Sequence, residues 1–163
     1  MTFSKETKLE SADSKHAGTE FQSFALAAQL LQNVAELGYT QATPVQAQVI
    51  PAALAGGDLL VSSQTGSGKT AAFLLPLINQ LIEDNPNNSP VPGRAQPKVL
   101  VLCPTRELAQ QVAADAVNLV RGMKGIRIAT VMGGMPYGKQ IQALKGALSV
   151  SYTHLTLPTI YSV

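Results

Sequence analysis

The chain has 163 residues, of which 45% are hydrophobic and 13% charged, a composition typical of one globular domain. Its single cysteine, Cys103, excludes an intrachain disulfide and a metal cluster built on cysteines. The longest apolar run, residues 71–78, is too short to span a membrane, and the charged N-terminus lacks the apolar core of a signal peptide. We therefore expect a cytoplasmic protein that does not associate with membranes.

The net charge of +2 is unevenly distributed along the chain. Residues 1–84 hold four Lys and Arg against eight Asp and Glu, whereas residues 85–163 hold eight against two. The basic residues could form a face that attracts phosphate groups if the fold brings them to one side. A scattered, solvated surface explains the same charges, and charge alone favours that alternative.

The first part of the chain predicts an extension followed by two helices. Residues 1–20 show no apolar periodicity, so we interpret them as a flexible N-terminal extension. Between Leu26 and Leu37, apolar residues recur at helical spacing, and Gly38 stands where a C-terminal cap is expected. Thr43, which is followed by a proline, is the predicted N-cap of a second helix.

Strands and helices alternate over the rest of the chain. Apolar runs predict strands at 58–62, 98–103 and 127–132, and helical patterns follow at 69–82, 105–120 and 137–145. This order predicts an α/β fold with a parallel sheet flanked by helices, in the order βαβαβ. The second strand lacks polar alternation, so we expect it to be buried on both faces. Residues 148–163 have no evident place in this sheet, although an edge strand could form over residues 151–157.

The first of these strands is followed by a glycine-rich turn that leads into a helix. Its sequence matches the Walker A pattern except for serine at the first glycine position: Ser63, Gln64, Thr65, Gly66, Ser67, Gly68, Lys69 and Thr70. The glycines let backbone N–H groups turn inward around phosphate oxygens. Lys69 and Thr70 are the predicted catalytic residues, because the lysine would contact the β and γ phosphates and the threonine hydroxyl would bind Mg²⁺. A plain turn with a solvated lysine is less consistent with the flanking strand and helix.

A second pattern precedes this turn. Phe21 lies 17 residues before Gly38-Tyr39, and Thr43-Pro44-Val45-Gln46 follows. This arrangement resembles the Q motif of the DEAD-box helicases, with Ala42 where the family often has proline. A glutamine amide can accept from the adenine 6-amino group and donate to N7, a pairing that guanine does not offer. The resemblance implies that Gln46 selects ATP and that Phe21 stacks on the base, whereas Phe21 alone would be interpreted as an ordinary core or linker aromatic.

The resemblance continues downstream of the turn. Pro104-Thr105-Arg106-Glu107-Leu108-Ala109 resembles motif Ia, and Gly133-Gly134 resembles the GG motif, with which the family holds the backbone of single-stranded RNA. Five residues are therefore implied to contact RNA without reading its sequence: Pro104, Thr105, Arg106, Gly133 and Gly134. Taken alone, Thr105 is better explained as a helix cap, and Arg106 as the partner of a nearby acidic residue.

The resemblance covers residues 21–147 and implies a partial RecA-like P-loop NTPase domain. Its implied ligands are ATP, Mg²⁺ and RNA, either a single strand or a duplex end, and the sequence identifies no protein partner. The family's Asp-Glu-Ala-Asp and Ser-Ala-Thr motifs do not follow in this sequence, so we expect the chain alone to be catalytically inactive.

Three points stay open on the sequence alone. Residues 148–163 form an unassigned tail, for which a non-native origin is one hypothesis. A non-catalytic nucleotide- or RNA-binding fragment is one alternative to a helicase. A different P-loop ATPase is another, although such a protein would not need the pair of Phe21 and Gln46.

Overall fold

The computed structural model describes residues 7–9, 18–84, 97–134, 136–145 and 150–154. The chain divides into two compact units, one of residues 1–84 and 118–121 and the other of residues 85–117 and 122–163. Both units combine helices with strands that pair in parallel. The predicted α/β fold is therefore confirmed.

The first unit contains the predicted two helices, strand and third helix in the predicted order, together with one further strand and a 3-10 turn. It contains strands β1 (Thr7–Leu9) and β2 (Leu59–Val61), a 3-10 turn (Phe21–Ser23), and helices α1 (Ala28–Glu36), α2 (Pro44–Leu54) and α3 (Lys69–Asp84). Gly38, just beyond α1, has a φ of 82°, a conformation that glycine adopts readily at a helix end. Thr43 is the N-cap of α2, as its position before a proline predicted.

Part of the segment that we interpreted as a flexible extension is a strand. β1 pairs in parallel with β2, with Thr7 opposite Leu59. Closer to α1, the backbone N–H of Ala42 donates to the carbonyl oxygen of Thr19 at 2.8 Å. Strand pairing uses backbone groups and needs no apolar periodicity, so the composition of this segment did not reveal it. Residues 1–6 and 10–17 of the extension lie outside the described residues.

The core of the first unit lies between its helices, where α2 packs on α3. The largest fully buried apolar side chains are Leu30, Val34, Ile50, Leu74, Leu75 and Ile78. Their burial removes apolar surface from water, which is the main stabilising contribution to such a fold. In the part of the chain that the structure describes, no helix is both long enough and apolar enough to cross a membrane.

A polar side chain, Asn79 of α3, is also fully buried in this core. Its Oδ1 accepts from the backbone N–H of Ala27 at 2.7 Å, and its Nδ2 donates to Glu83 Oε1 at 2.8 Å. Ala27 is the N-cap of α1 and has no side-chain oxygen that could accept from the first N–H groups of the helix. Asn79 therefore supplies an acceptor at the start of α1 from another helix.

The second unit contains a three-stranded parallel sheet with the strand order β3-β5-β4. Its elements are β3 (Val99–Cys103), α4 (Arg106–Leu119, whose last two residues fall in the first unit), β4 (Ile128–Val131), α5 (Tyr137–Lys145) and β5 (Val150–His154). The helices and strands predicted here from the apolar pattern are present within a few residues of their predicted bounds.

The last strand corrects a prediction about the tail. We expected at most an edge strand over residues 151–157, but β5 is the central strand and pairs with both neighbours. Val150 lies opposite Val99 on one side and opposite Ile128 on the other. A strand rich in Ser, Thr and Tyr can occupy the centre because pairing uses its backbone, and threonine and tyrosine favour strands. Residues 155–157 lie outside the described residues.

β3 also differs from its prediction, because it is not buried on both faces. Leu100 and Leu102 are 60% and 54% exposed, whereas Cys103 is buried on the opposite face. An unbroken apolar run shows that both faces of a strand are apolar, but it does not show that both are covered.

Candidate functional site

The turn between β2 and α3 has the geometry of an anion-binding cradle. Gly66 and Gly68 have φ values of 79° and 88°, which side chains rarely tolerate. A Cβ at Gly66 would have no heavy atom within 4 Å, so the turn is open at that point, and Thr65 beside it is exposed. α3 begins at Lys69, and the N–H groups of a first helical turn carry partial positive charge. Such a turn suits an anionic group.

Lys69 is folded back onto the cradle. Its Nζ donates to the backbone carbonyl oxygens of Ser63 and Gln64. The hydroxyls of Ser63 and Ser67 are also hydrogen-bonded to each other, with 2.7 Å between the oxygens. An anionic group in the turn would compete with neutral carbonyls for the ammonium and would be the stronger partner. Thr70 follows Lys69 in the first turn of α3 and is half-buried.

Gln46 connects α2 to this cradle. Its Oε1 accepts from the backbone N–H of Thr43 at 2.9 Å, and its Nε2 donates to the carbonyl oxygen of Gly68 at 3.1 Å. The side chain is only 5% exposed. An amide carries a second N–H and a second lone pair, so these two bonds leave each end able to make one more. The residue predicted to read the base is thus held directly against the predicted phosphate turn.

Thr43 is a second connection between α2 and the cradle, in addition to the predicted site residues. Its hydroxyl donates to the carbonyl oxygen of Ser67 at 2.8 Å and also accepts from the backbone N–H of Gln46. Thr43 and Gln46 together form a capping box, which is recognisable in sequence as threonine followed three residues later by glutamine. That signal predicted the cap but not its contact with the turn.

Phe21 packs in an aromatic cluster. Its ring lies edge-to-face with Phe24 at a centroid distance of 5.9 Å and is stacked with Tyr39 at 6.1 Å. Only 3% of Phe21 is exposed, whereas Tyr39 is 44% exposed. In this arrangement Tyr39 covers the ring that we predicted to stack on a base, so Tyr39 presents more aromatic surface than Phe21 does.

In the second unit, Thr105 and Pro104 join β3 to α4. The Thr105 hydroxyl accepts from the backbone N–H of Leu108 at 3.2 Å, so this residue does cap the helix. Both Pro104 and Thr105 are exposed. The first turn of a helix carries partial positive charge on its N–H groups, which favours an anionic group nearby.

Arg106 and Gly134 lie in contact, which brings the two predicted RNA-binding motifs together. A Cβ placed on Gly134 would lie 3.0 Å from Arg106 Nη2 and 3.1 Å from Nη1. Gly134 has a φ of 80°, and both Gly133 and Arg106 are exposed. The guanidinium therefore lies over a glycine backbone.

A further residue of this region, Gln140 of α5, is not among the residues that the sequence predicts for the site. Its Nε2 donates to the carbonyl oxygen of Met132 and its Oε1 accepts from the backbone N–H of Met132, both at 2.9 Å. Met132 directly precedes the Gly133-Gly134 turn. No local pattern in the sequence indicates this contact, because it joins a helix side chain to a strand end.

Two ionisable side chains of the second unit have pKa values shifted by their surroundings. Burial raises the pKa of the Cys103 thiol at the end of β3, and burial also raises the pKa of the Asp115 carboxyl on α4. The desolvated thiol stays protonated to higher pH than usual and is a poor nucleophile. Within the described ranges, no group of three or more His, Cys, Asp or Glu side chains could hold a metal ion.

These features define a class of protein. A P-loop NTPase domain has a parallel α/β fold in which a strand leads through an open glycine turn into a helix. Here the turn contains glycines in the left-handed conformation, and the helix begins at lysine.

The sequence model of the DEAD/DEAH box helicase family matches residues 43–161, and the chain belongs to this family. The match begins after Phe21 and includes most of the tail, residues 148–163. The structure is similar to the solved structure of a DEAD box protein from the hyperthermophile Methanococcus jannaschii, with 33% sequence identity and a TM-score of 0.69. The alignment covers 84% of the present chain and 35% of the chain of that protein. The fold is therefore that of a partial RecA-like domain.

Curated relatives carry the names of ATP-dependent RNA helicases. The chain is 41% identical over 127 residues to RhlB of Pseudomonas aeruginosa, covering 78% of this chain and 31% of RhlB. It is 42% identical over 127 residues to DeaD of Escherichia coli, and the match covers 78% of this chain and 19% of DeaD. It is 47% identical over 117 residues to DbpA of the same organism, and that match covers 72% of this chain and 24% of DbpA. The chain thus spans 19% to 31% of the length of these relatives.

Proposed function

We propose that the chain is the ATP-binding front part of an ATP-dependent RNA helicase. The observation that carries this proposal is the hydrogen bond from Gln46 Nε2 to the carbonyl oxygen of Gly68. It joins the candidate adenine-reading side chain to the candidate phosphate turn, as one nucleotide would require. The names of the relatives support ATP as the nucleotide and RNA as the second ligand.

The phosphates bind in the turn formed by Ser63, Gln64, Thr65, Gly66, Ser67 and Gly68. Gly66 and Gly68 let the backbone N–H groups face the phosphate oxygens, and the start of α3 adds its partial charge. Lys69 leaves the carbonyl oxygens of Ser63 and Gln64 for the more negative β and γ phosphates. The lysine thereby neutralises charge that the turn alone does not balance.

Mg²⁺ fits this turn because the Thr70 hydroxyl supplies an oxygen ligand, the donor type that the ion prefers. Mg²⁺ normally keeps several waters and takes its other ligands from phosphate groups, so it needs no cluster of protein carboxylates. When bound, the ion supplies charge that holds the β and γ phosphates in one orientation. The Thr70 hydroxyl would hold the ion, and Lys69 and Thr70 are the predicted catalytic residues of this turn.

Gln46 reads the adenine with the hydrogen-bonding capacity that its present contacts leave. Its second N–H donates to N7 and the second lone pair of Oε1 accepts from the 6-amino group. Guanine carries an acceptor in place of that amino group and leaves Oε1 without a partner. Phe21 and Tyr39 form the aromatic surface for the base, with Tyr39 as the more exposed ring.

RNA binds the second unit through its sugar-phosphate backbone. Arg106 donates charged hydrogen bonds to a phosphate while Gly133 and Gly134 permit a close backbone approach. Pro104 and Thr105 lie where α4 begins, and the partial positive charge of the first helical turn adds to the attraction for a phosphate. Such contacts carry no base information, so binding is independent of RNA sequence.

The chain by itself binds these ligands without turning over ATP, because its sequence contains no Asp-Glu-Ala-Asp motif to activate water. In the whole protein, ATP binding closes two RecA-like domains over RNA, and hydrolysis resets them. A cytoplasmic location agrees with an RNA substrate and with a single cysteine, which cannot form an intrachain disulfide.

The test is a crossed pair of substitutions in the purified chain. Lys69→Ala should weaken binding of a fluorescent ATP analogue by roughly tenfold or more and leave RNA affinity unchanged. Arg106→Ala should weaken RNA binding and leave the affinity for the ATP analogue unchanged. RNA binding is measured by fluorescence anisotropy with a labelled single-stranded RNA. If neither ligand binds the unsubstituted chain, or if Lys69→Ala binds ATP normally, the proposal is wrong.

A further inference from the structure

The side-chain amide of Gln140 pairs with both backbone groups of one residue. Nε2 donates to Met132 O and Oε1 accepts from Met132 N, each at 2.9 Å. This is the pairing that a neighbouring strand would offer, but here it comes from the first turn of α5. Met132 is buried, so its backbone groups would otherwise lack the water that could replace this partner.

The pairing of Gln140 with Met132 lies directly before the Gly133-Gly134 turn. Met132 directly follows β4, and the exposed residues Gly133 and Gly134 come next in the chain. Two successive glycines have the greatest conformational freedom of any dipeptide, so ordering them costs more entropy than ordering other residues. Gln140 fixes the residue from which that turn departs. It therefore limits the orientations of the Gly133 and Gly134 backbone beneath the Arg106 guanidinium.

We propose that Gln140 is a positioning residue for RNA binding, which holds the Gly133-Gly134 turn and the overlying Arg106 in a conformation ready to receive a phosphate. The inference rests on the proposed RNA-binding role of the second unit. Binding is stronger when the receiving groups are already ordered, because the ordering entropy is not lost on association. Gln140 itself touches no RNA.

The first test compares Gln140→Ala with Gln142→Ala, an exposed glutamine on the same helix. Gln140→Ala should lower the affinity for a labelled single-stranded RNA roughly three- to tenfold and leave the affinity for a fluorescent ATP analogue unchanged. Gln142→Ala should change neither. Hydrogen exchange should accelerate at the N–H groups of Met132, Gly133 and Gly134 in Gln140→Ala alone.

The second test uses Gln140→Glu, whose side chain has the same shape. Near neutral pH the carboxylate still accepts from Met132 N but cannot donate to Met132 O, so RNA affinity should fall. Protonation restores a donor, and the affinity relative to the unsubstituted chain should recover as pH falls toward about 4 to 5. A residue needed only for folding would not regain RNA affinity in this way.

The outcomes separate this proposal from the one on which it rests. If the unsubstituted chain does not bind RNA, the RNA-binding role fails and the positioning role fails with it. If that chain binds RNA but Gln140→Ala and Gln142→Ala bind equally well, only the positioning role is overturned. Equal loss of ATP and RNA affinity in Gln140→Ala would indicate general destabilisation and would also overturn it.

Discussion

The Nε2 atom of Gln46 donates to the carbonyl oxygen of Gly68 at 3.1 Å, across 22 positions of the sequence. The same amide completes the capping box of α2 through the backbone N–H of Thr43. One side chain therefore stabilises a helix start and contacts the turn that is proposed to hold phosphate. A nucleotide in the turn would contact a residue that also determines the stability of α2, so binding and local stability should be coupled.

Gly68→Ala should be more destabilising than Gly66→Ala, although both glycines have positive φ. The added Cβ at Gly68 would clash with Gln46 Nε2 and lie 3.2 Å from Thr43 Oγ1, whereas the Cβ at Gly66 would meet nothing within 4 Å. We expect about 1–2 kcal/mol from backbone strain in both variants and at least about 1 kcal/mol more for Gly68→Ala. Urea unfolding measures the difference, and equal midpoints would contradict the contact between Gln46 and the turn.

Asn79→Ala should lower the free energy of unfolding by about 2–4 kcal/mol, because it creates a cavity and leaves the backbone N–H of Ala27 without its acceptor. Gln80→Ala is the matched control, since Gln80 is exposed on the same helix. It should change stability by less than about 0.5 kcal/mol. Chemical unfolding measures the free energy of unfolding of both variants. Similar values for the two would mean that the hydrogen bond from Ala27 N–H to Asn79 does not stabilise the start of α1.

Arg106→Lys should weaken RNA binding more than Lys139→Ala does, although only the second removes a charge. Arg106 lies over Gly134 with a planar fork of donors, which lysine does not reproduce, while Lys139 is exposed. We expect roughly a tenfold loss for Arg106→Lys and about twofold for Lys139→Ala in fluorescence anisotropy titrations at one salt concentration. The opposite order would mean that net charge, rather than the geometry at Gly134, determines binding.

Cys103 should make stability depend on pH in the alkaline range. Burial raises the pKa of its thiol, so above the ordinary pKa of roughly 8.5 the unfolded chain loses the proton before the folded chain does. The folded state then binds more protons, and the free energy of unfolding falls as pH rises. The difference in stability between the unsubstituted chain and Cys103→Ala should therefore shrink from about pH 8 to about pH 10. A constant difference would contradict the burial of this thiol.

Local features of the fold were predictable from sequence. The glycine turn, the helix that begins at Lys69 and the cap at Thr43 each depend on residues within a few positions of one another. The α/β class followed from the alternation of apolar runs with helical patterns. The family resemblance, which rested on the motifs from Phe21 to Gly134, was confirmed by the match to residues 43–161.

Features that depend on distant parts of the chain were not predictable in the same way. The central place of β5 depends on two strands that precede it, and its polar composition favoured an edge. The pairing of Gln140 with Met132 and the covering of Phe21 by Tyr39 depend on tertiary packing, which no spacing encodes. The exposure of Leu100 likewise depends on what lies over the sheet rather than on the strand itself. The roles of the site residues in ligand binding stay predictions.

The most direct test of adenine recognition at the cradle is competition between ATP and GTP for a fluorescent ATP analogue bound to the purified chain with Mg²⁺. The unsubstituted chain and Gln48→Ala, a control on the same helix, should both prefer ATP by roughly tenfold or more. Gln46→Ala should bind both nucleotides more weakly and lose that preference. Equal competition by GTP in the unsubstituted chain, or an unchanged preference in Gln46→Ala, would contradict the assignment of Gln46 as the adenine-reading residue.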